Sequence, residues 1–322
     1  MLSFFGNQMK YATRGIAHGY VLTASCIVLL GHTALFASAE PGAGALLQVD
    51  PENLGSWTTG EITFAVPAFS HSVPCRYACL STTPDGKSRV IVNGKAGPEF
   101  DRIGRRATVG GFGVMLGPIF SKPARHLAYA AMVEGRWCVV VDGERGPMFE
   151  DVGNPIFSVG GEHCAYAAEV DSKWHVVLDG LRGPAFDKIL EGTIVFSPDG
   201  SRLAYAARSE NRTFVVVDNQ RGKGYEGILT HGVAKPPIRF SPDGRHLAYV
   251  AQKEDQFAVV VDGEEGPPYP KVLLDSVLLS RSGKHCAYVA CKGGDFFGGK
   301  RVLVLDGKEI AHVSGAFCAR FS

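Results

Sequence analysis

The sequence predicts an all-β fold, a β-propeller of four-stranded blades, and three observations carry that prediction. A Phe-Ser pair recurs along the chain, and each copy is followed by a turn and a short strand that contains Ala-Tyr, which the first copy reverses as Tyr77-Ala78. A second apolar strand then ends in Asp-Gly or Asp-Asn, the strongest short signal for a β-hairpin, because these residues tolerate positive φ. The unit returns every 37 to 51 residues, which is the length of a propeller blade and carries no helical periodicity.

The elements follow one another in the same order in each copy. The first strand ends at the Phe-Ser pairs Phe69-Ser70, Phe120-Ser121, Phe157-Ser158, Phe196-Ser197 and Phe240-Ser241, with Leu279-Ser280 as a weaker sixth copy. The second strand carries Tyr77, Tyr129, Tyr166, Tyr205, Tyr249 and Tyr288. The third strand reads VVVDG at 139, VVLDG at 176, VVVDN at 215, VVVDG at 259 and VLVLDG at 302. An aromatic residue follows in five copies, at Phe100, Phe149, Phe186, Tyr225 and Tyr269, and its regular spacing predicts packing between blades.

The repeats indicate six blades, with seven as the alternative. Residues 65–322 are assigned to the propeller, and residues 40–64 to an N-terminal segment that could contribute a ring-closing strand. The chain reaches a further Phe-Ser pair at Phe321-Ser322, where the first strand of another blade would end. We therefore expect either a ring closed by pairing this last strand with residues 45–64, which removes open sheet edges, or a fragment of a larger repeat protein.

The first 39 residues predict a signal peptide. Lys10 and Arg14 precede an apolar stretch, and Ala37-Ser38-Ala39 has the pattern of a cleavage site. The stretch is short for a membrane-spanning helix, so the sequence favours cleavage over an uncleaved N-terminal anchor. A periplasmic or secreted location, with no membrane span after cleavage, is the expectation.

The bulk composition excludes some partners. The formal net charge is +1, from 33 basic and 32 acidic residues, so no broad field attracts nucleic acid or an anionic membrane. The seven cysteines beyond the signal are odd in number and in part replace strand residues, which favours buried thiols over a disulfide framework. Cys75 and Cys79 share one face of a strand but lack further metal ligands nearby. A monomer is expected.

The stretch F-S-P-D-G-x-x-L-A-Y, at Phe196–Tyr205 and Phe240–Tyr249, resembles the TolB-type, WD-repeat-like propeller repeat. The same repeat occurs in the propellers of tricorn and prolyl-oligopeptidase-like proteases. The resemblance covers roughly residues 65–322 and implies the propeller fold, whereas the members of the family bind, gate or scaffold in unrelated ways. The α/β domain that precedes the TolB propeller and the G-x-S-x-G elbow of the proteases have no counterpart in this sequence.

A set of histidines raises the question of a metal site. His126, His163, His246 and His285 share one repeat position, and Arg76 and Arg202 occupy it in two other copies. Histidine is a common metal ligand, but propeller symmetry places these residues apart at the start of the second strand, so we expect a structural role and no cofactor. Arg145, Arg182 and Arg221 follow the hairpin turns, where we expect solvated side chains paired with nearby acids rather than an anion-binding surface.

The repeat order also predicts which end of the blades carries function. The turns after strands 1 and 3 lie at one end and repeat closely, whereas the turns after strand 2 and the loops between blades lie at the other end and differ. Because binding residues usually lie on loops held by a rigid scaffold, we expect a partner to dock on this variable end near the central opening. The candidate residues are Asn211, His231, Lys253, Asp255, Asp295 and Phe296.

No catalytic motif stands out, since the sequence has no phosphate-binding glycine loop, no H-E-x-x-H and no nucleophile beside a recognisable base. The expected function is that of an exported, non-catalytic propeller that binds another protein or an envelope component, or serves as a scaffold. The alternative is a propeller-type lyase or hydrolase acting on a glycan or peptide, with a site built from scattered loop residues. Asn211-Arg212-Thr213 also matches the N-glycosylation pattern.

Overall fold

The computed structural model describes most of the repeat region and a short part of the N-terminus. The described ranges are 26–30, 33–37, 68–69, 76–109, 112–122, 124–230, 236–293 and 300–313. The chain divides into two compact units, Met1–Thr58 and Thr59–Ser322.

In the first unit, β1 (Cys26–Leu30) pairs antiparallel with β2 (Thr33–Ala37), with Val28 opposite Leu35. Both strands fall within the segment that the sequence predicts as a signal peptide, and its cleavage stays a prediction. The part of the chain that the structure describes contains no helix long and apolar enough to cross a membrane.

The second unit consists of antiparallel sheets, and its described residues form six blades in chain order and one separate two-stranded hairpin. Blade 1 contains β3 (Ala68–Phe69), β4 (Tyr77–Thr82), β5 (Ser88–Val92) and β6 (Lys95–Phe100). Blade 2 contains β7 (Arg102–Ile103), the hairpin β8 (Arg105–Val109) and β9 (Phe112–Leu116), then β10 (Ile119–Phe120), β11 (Leu127–Val133), β12 (Arg136–Val141) and β13 (Glu144–Arg145). Blade 3 contains β14 (Asp151–Val152), β15 (Ile156–Phe157), β16 (Cys164–Val170), β17 (Lys173–Leu178) and β18 (Leu181–Arg182).

The remaining three blades repeat the pattern. Blade 4 contains β19 (Lys188–Ile189), β20 (Val195–Phe196), β21 (Leu203–Ser209), β22 (Arg212–Val217) and β23 (Gln220–Tyr225). Blade 5 contains β24 (Gly227–Ile228), β25 (Arg239–Phe240), β26 (Leu247–Lys253), β27 (Gln256–Val261) and β28 (Glu264–Glu265). Blade 6 contains β29 (Lys271–Val272), a 3₁₀ turn at Leu274–Ser276, β30 (Leu278–Leu279), β31 (Cys286–Cys291), β32 (Arg301–Leu305) and β33 (Lys308–Val313).

The first strand of blades 2 to 6 is divided into two short pieces, which the sequence did not predict. In blade 3, β14 and β15 both pair with β16, and Gly153-Asn154-Pro155 separates them. Proline cannot donate to the ladder and glycine weakens a strand, so this tripeptide interrupts the pairing without ending it. In blade 2 the interruption is longer and carries the separate β8–β9 hairpin.

The hairpin turns between the third and fourth strands have the predicted conformation. Asp142 and Gly143 both have positive φ, 52° and 91°, as a type I′ turn requires. Blade 4 uses Asp218 and Asn219 at the same place, with φ of 50° and 64°. Asn is among the few residues other than glycine that adopt this region at low cost, so the turn survives the replacement.

Each blade packs on the next through apolar side chains, and every large cluster draws its members from two consecutive blades. A T-shaped aromatic pair with ring centroids 6.0 to 6.2 Å apart lies in each of the five described interfaces. These pairs are Phe100–Tyr129, Phe149–Tyr166, Phe186–Tyr205, Tyr225–Tyr249 and Tyr269–Tyr288. The predicted packing of the recurrent aromatic residues between blades is confirmed. Consecutive four-stranded sheets packed face to face in this way are the β-propeller predicted from the repeats, and the blade number of the closed ring stays a prediction.

The described cysteines act as small apolar residues, as predicted. Cys79, Cys138, Cys164, Cys286 and Cys291 are all free thiols, and three of them are buried. Burial raises the pKa of Cys164 and of Cys286 to about 12, with a further contribution from the neighbouring aspartates. These thiols therefore stay protonated and unreactive at neutral pH. Cys75 and Cys318 lie outside the described residues.

Candidate functional site

A serine, a histidine or arginine, and an aspartate meet at the same place in blades 2 to 6, where strand 1 turns into strand 2. The aspartate comes from the hairpin turn after strand 3, and its Oδ1 accepts the backbone N–H that follows the histidine, as in Leu127 N to Asp142 Oδ1 at 2.9 Å. A hydrogen bond of 2.6 to 2.7 Å joins the other carboxylate oxygen, Oδ2, to the imidazole Nδ1. These pairs are His126–Asp142, His163–Asp179, His246–Asp262 and His285–Asp306. In blade 4 the Arg202 Nε donates to Asp218 at 2.9 Å instead.

The three residue types resemble a nucleophilic triad in name only. The Ser121 Oγ accepts a hydrogen bond from the backbone N–H of His126 at 3.0 Å, and the same bond recurs at Ser158, Ser197, Ser241 and Ser280. A serine nucleophile needs its hydroxyl bonded to the imidazole and open to a substrate, whereas the Ser121 residue is only 2% exposed. This arrangement closes the turn and contributes no nucleophile.

The histidine or arginine also contacts the next blade. The His126 ring lies 6.3 Å from that of Phe157 in blade 3, and the Arg76 guanidinium lies 5.2 Å from the ring of Phe120 in blade 2. Arg202 reaches further and donates to the carbonyl of Arg245 in blade 5 at 2.9 Å. These side chains therefore join their own hairpin turn to the first strand of the following blade, the structural role expected for them. Across the described ranges, no three His, Cys, Asp or Glu side chains are grouped so that they could hold a metal ion.

Blade 1 carries Asn93 where the other blades carry aspartate. The Asn93 Oδ1 accepts a hydrogen bond from the backbone N–H of Tyr77 at 2.9 Å. The amide therefore keeps the bond to the backbone that the aspartates make in the other blades. We expect Asn93→Asp to add an ion pair with Arg76, on the pattern of Arg202 and Asp218, and to raise the free energy of unfolding by up to about 1 kcal/mol. Urea unfolding at low salt and at high salt measures the effect, and a gain that persists undiminished at high salt, or no gain at low salt, would contradict it.

The turns after strand 1 contain a further acid with a perturbed pKa. The Asp199 carboxylate accepts hydrogen bonds from the hydroxyl of Ser197 and then from that of Ser201, which lower its pKa from 3.8 to about 2. Because the folded-state pKa lies below the unfolded one, the stability that ionised Asp199 contributes is present above pH 4 or thereabouts and is lost as the pH falls through about 2. We expect Asp199→Asn to flatten the decline of the unfolding free energy between these pH values. Urea unfolding at a series of pH values gives the slope of the unfolding free energy against pH for the wild type and for the variant. Equal slopes would contradict a lowered pKa at Asp199.

The arginines after the hairpin turns differ from expectation. The Arg145 guanidinium carbon lies 4.8 Å from the centroid of the Phe100 ring in the preceding interface, and that of Arg221 lies 5.0 Å from Phe186 and 4.5 Å from Phe214. Arg145 therefore covers an aromatic face at the interface between blades. Arg221 does the same and also acts on an acid, since the pKa of Asp187 is lowered first by the hydrogen bond from Lys173 and further by the charge of Arg221.

Three of the six candidate binding residues fall within the described residues, all exposed at the turns after strand 2. Asn211 lies in the two-residue turn Glu210-Asn211 with φ of 61°. Lys253 ends β26 and lies 3.7 Å from the Glu265 carboxylate, and Asp255 lies in the next turn. His231, Asp295 and Phe296 lie outside the described residues.

The turns after strand 2 are tighter than variable loops, and an acid of the preceding segment holds each of four of them. Its carboxylate accepts a backbone N–H of the turn in the next sheet. The contacts are Asp101 to Glu134 N at 2.6 Å, Glu150 to Asp171 N at 3.1 Å, Asp187 to Glu210 N at 2.9 Å and Glu226 to Glu254 N at 3.0 Å. This role was not predicted, although the sequence carries a signal for it, since an acid directly follows the recurrent aromatic residue in these four copies.

An open cleft lies between blades 2 and 3, at the end of the blades that the sequence assigned to structure alone. Its volume is about 450 Å³, and its walls include Glu144, Pro147, Phe157, Glu162 and Tyr166 together with the His126–Asp142 and His163–Asp179 pairs. The expectation that this end is purely structural is therefore incomplete, because identical turns still leave space where their side chains are small.

An asparagine covers the neighbouring blade in one interface. In the interface between blades 3 and 4, the Asn219 side chain covers Gly183, where a Cβ would lie 2.7 Å from the Asn219 Oδ1. The residue at the place of Asn219 is Gly143 in blade 2, Gly180 in blade 3 and Gly263 in blade 5, each with positive φ and open space around its Cβ position. Asn219 is therefore the residue that departs from the repeat at this turn.

This chain is similar to known proteins in its fold and not in its sequence. No family model matches the sequence, and no curated protein is similar to it. Solved structures that resemble the fold include TolB from Acinetobacter baumannii, with 15% identity over 73% of this chain and a TM-score of 0.33. The β-propeller domain of the Trilobed protease from Pyrococcus furiosus is 9% identical over 81% of this chain and 85% of its own length, with a TM-score of 0.38. A putative dipeptidyl aminopeptidase IV from Bacteroides ovatus is 15% identical over 74% of this chain and 46% of its own length, with a TM-score of 0.41.

This chain spans 62% of the length of the TolB chain. The similar structures include both TolB and peptidase chains. The described repeats of this chain form the blades of a β-propeller.

Proposed function

We propose that this chain is an exported β-propeller that acts without catalysis, as a binding or scaffold module for another protein or an envelope component. One observation supports the proposal above all. The serine, histidine and aspartate side chains that could carry chemistry recur with the same partners in blade after blade, bonded to the hairpin turns and packed on the neighbouring blade. Side chains that are bonded to the turns in this way lack the free nucleophile beside a base that covalent catalysis needs.

The docking surface proposed is the end that carries the turns after strand 2. Asn211, Lys253 and Asp255 are exposed there on turns whose backbone is held by acids of the preceding segments. Side chains presented on a rigid backbone lose little conformational entropy when a partner binds, which favours recognition. His231, Asp295 and Phe296 belong to the same proposed surface by their repeat position.

The experiment compares charge-reversed variants at the two ends of the blades. Purified wild-type protein, Lys253→Glu/Asp255→Lys and the control Lys284→Glu, which lies at the opposite end, are each immobilised and exposed to an envelope extract. We expect one partner to be retained by the wild type and the control and lost by the double variant. Equal retention by all three would place the docking surface elsewhere, and turnover of peptide or glycan substrates by the wild type would favour the enzyme alternative.

Export is tested separately by sequencing the N-terminus of the mature protein from cells. Cleavage after Ala39 is the expected result, since Ala37-Ser38-Ala39 has the cleavage pattern. A protein that keeps Met1 in the cytoplasm would contradict export without affecting the binding proposal.

A further inference from the structure

Three repeat positions change together from one described interface to the next. They are the recurrent aromatic residue of one blade, the second residue after the hairpin turn of the following blade, and the residue that ends or directly follows strand 2 of that following blade. In the first three interfaces the residues are Phe100, Arg145 and Val133; Phe149, Arg182 and Val170; and Phe186, Arg221 and Ser209. In the last two they are Tyr225, Glu265 and Lys253, and Tyr269, Glu309 and Lys292. In these five interfaces phenylalanine accompanies arginine, and tyrosine accompanies a glutamate and a lysine.

In the first class of interface, the arginine of one blade covers the phenylalanine of the preceding blade. The guanidinium carbon of Arg145 lies 4.8 Å from the centroid of the Phe100 ring, and that of Arg221 lies 5.0 Å from the centroid of the Phe186 ring. Both rings are buried. The face of an aromatic ring is negative and attracts a cation. A glutamate at the place of the arginine would bring a carboxylate to the same negative face, so this class of interface disfavours an acid.

In the second class of interface, the glutamate of one blade bonds the tyrosine of the preceding blade. The Tyr269 hydroxyl of blade 5 donates to the Glu309 Oε1 of blade 6 at 3.3 Å, and the Glu309 Oε2 lies 2.6 Å from the Lys292 Nζ. The hydrogen bond from Lys292 first, and that from Tyr269 in addition, lower the pKa of Glu309, so the carboxylate is charged at neutral pH. An arginine at this place would lie beside the Lys292 ammonium and leave the tyrosine hydroxyl without its acceptor.

The interface between blades 4 and 5 has the same residue types and one further lysine. The Glu265 carboxylate lies 3.7 Å from the Nζ of Lys253 and 2.5 Å from that of Lys223, which belongs to blade 4. Burial first, and the charge of Glu265 in addition, raise the pKa of Tyr225, so the carboxylate acts across the interface. An arginine in place of Glu265 would lie beside two ammonium groups.

The other contacts between blades do not distinguish one interface from another. The T-shaped aromatic pair has the same geometry in all five described interfaces, with ring centroids 6.0 to 6.2 Å apart. Blades that resemble one another this closely can pack in the wrong order or exchange between chains, and these errors are characteristic of repeat proteins. A correct order therefore requires contacts that differ between interfaces.

We propose that these three positions form a pairing pattern, which favours the packing of each blade on a neighbour of the matching class and disfavours the other class. Specificity among similar partners needs repulsive elements as well as attractive ones. A mismatch supplies them, as a carboxylate over an aromatic face or a guanidinium beside lysines. Blade 4 belongs to both classes, since it presents Arg221 to blade 3 and Tyr225 to blade 5. The pattern thus separates blades 1 to 3 from blades 5 and 6 as partners and keeps the chain from exchanging blades with a second copy.

The interface between blades 5 and 6 provides the test, because Lys253 of the preceding interface also belongs to the proposed docking surface. Glu309→Arg creates a mismatch with Tyr269 and Lys292, and we expect it to raise the equilibrium constant of unfolding about fivefold. The triple variant Tyr269→Phe/Lys292→Val/Glu309→Arg has the residue types of Phe100, Val133 and Arg145. We expect it to return this constant to within about twofold of the wild type. Glu309→Gln, which loses the charge without a mismatch, should fall between the two. Urea unfolding followed by circular dichroism measures all three variants.

Refolding separates pairing specificity from stability. The wild type and the triple variant are unfolded in urea and refolded at high protein concentration, and size-exclusion chromatography with light scattering measures the monomer and the oligomers. We expect the stable triple variant to form severalfold more oligomer than the wild type, because its blade 6 then matches blades 1 to 3 of another chain. Leu181→Ala, at an exposed residue outside the pairing pattern, should refold like the wild type.

Two results together support the pairing pattern, namely recovery of stability in the triple variant and a loss of monomer when it refolds. A triple variant as unstable as Glu309→Arg would show that the three positions do not act as a set, which overturns the proposal. A stable triple variant that refolds to monomer as completely as the wild type would also overturn it, because the contacts would then stabilise the interface without selecting the neighbour.

Discussion

Replacing Tyr205 with alanine is expected to lower the free energy of unfolding by about 3 to 5 kcal/mol. The Tyr205 residue is 0% exposed and packs edge-on against Phe186 of the preceding blade, with ring centroids 6.1 Å apart. Removal of the ring leaves a cavity in the core shared by blades 3 and 4 and deletes an aromatic contact at once. Urea denaturation followed by circular dichroism measures the change.

Two control variants separate packing from hydrogen bonding at this position. Tyr205→Phe should leave stability unchanged or raise it, because the buried Tyr205 hydroxyl has no hydrogen-bond partner among the residues that the structure describes. Leu181→Ala should change little, since the Leu181 residue is 77% exposed. A loss above about 1 kcal/mol in Tyr205→Phe would mean that the hydroxyl is bonded in solution and that the packing account is incomplete.

Replacing Asp262 with alanine is expected to lower the free energy of unfolding by about 2 kcal/mol. The Asp262 carboxylate accepts two hydrogen bonds, one from the backbone N–H of Leu247 at 2.8 Å and one from the imidazole Nδ1 of His246 at 2.6 Å. Both join the hairpin turn after strand 3 to the start of strand 2. Partial exposure of the pair reduces the effect below that of two buried charged bonds.

Asp262→Asn is the matched control for this prediction. Blade 1 shows that asparagine at this position keeps the bond to the backbone, as Asn93 does with Tyr77. We therefore expect Asp262→Asn to cost about half as much as Asp262→Ala. Equal losses would assign the whole effect to the histidine contact, and no loss in either variant would contradict the structural role of the repeated aspartates.

The architecture follows from local signals that the sequence displays. The Asp-Gly turns and the alternation of the flanking strands specify each hairpin within a few residues, and the recurrent aromatic and tyrosine specify which surfaces meet. The division of strand 1 was not predicted, because a two-residue strand has too little pattern to be recognised. Gly153 and Pro155, read together, would have been the only sign of it.

The candidate site was harder to predict because its members come from different blades. Glu144 and Glu162 are separated by a complete turn and strand in the sequence, and only the packing of blade 3 on blade 2 places them at one cleft. Only the structure shows that Asn219 covers Gly183 of the preceding blade, whereas Gly143, Gly180 and Gly263 leave the corresponding space open. Expectations drawn from one repeat at a time identify the turns correctly and miss the spaces between them.

The most direct test of the central claim, that the repeats form a rigid scaffold and the turns after strand 2 carry the docking surface, is amide hydrogen exchange of the full chain with and without the partner captured from the envelope extract. We expect the partner to slow exchange at Asn211, Lys253 and Asp255 and to leave Gly143, Gly180 and Lys284, at the opposite end of the blades, unchanged. Slower exchange at the opposite end alone, or at neither end, would contradict the claim.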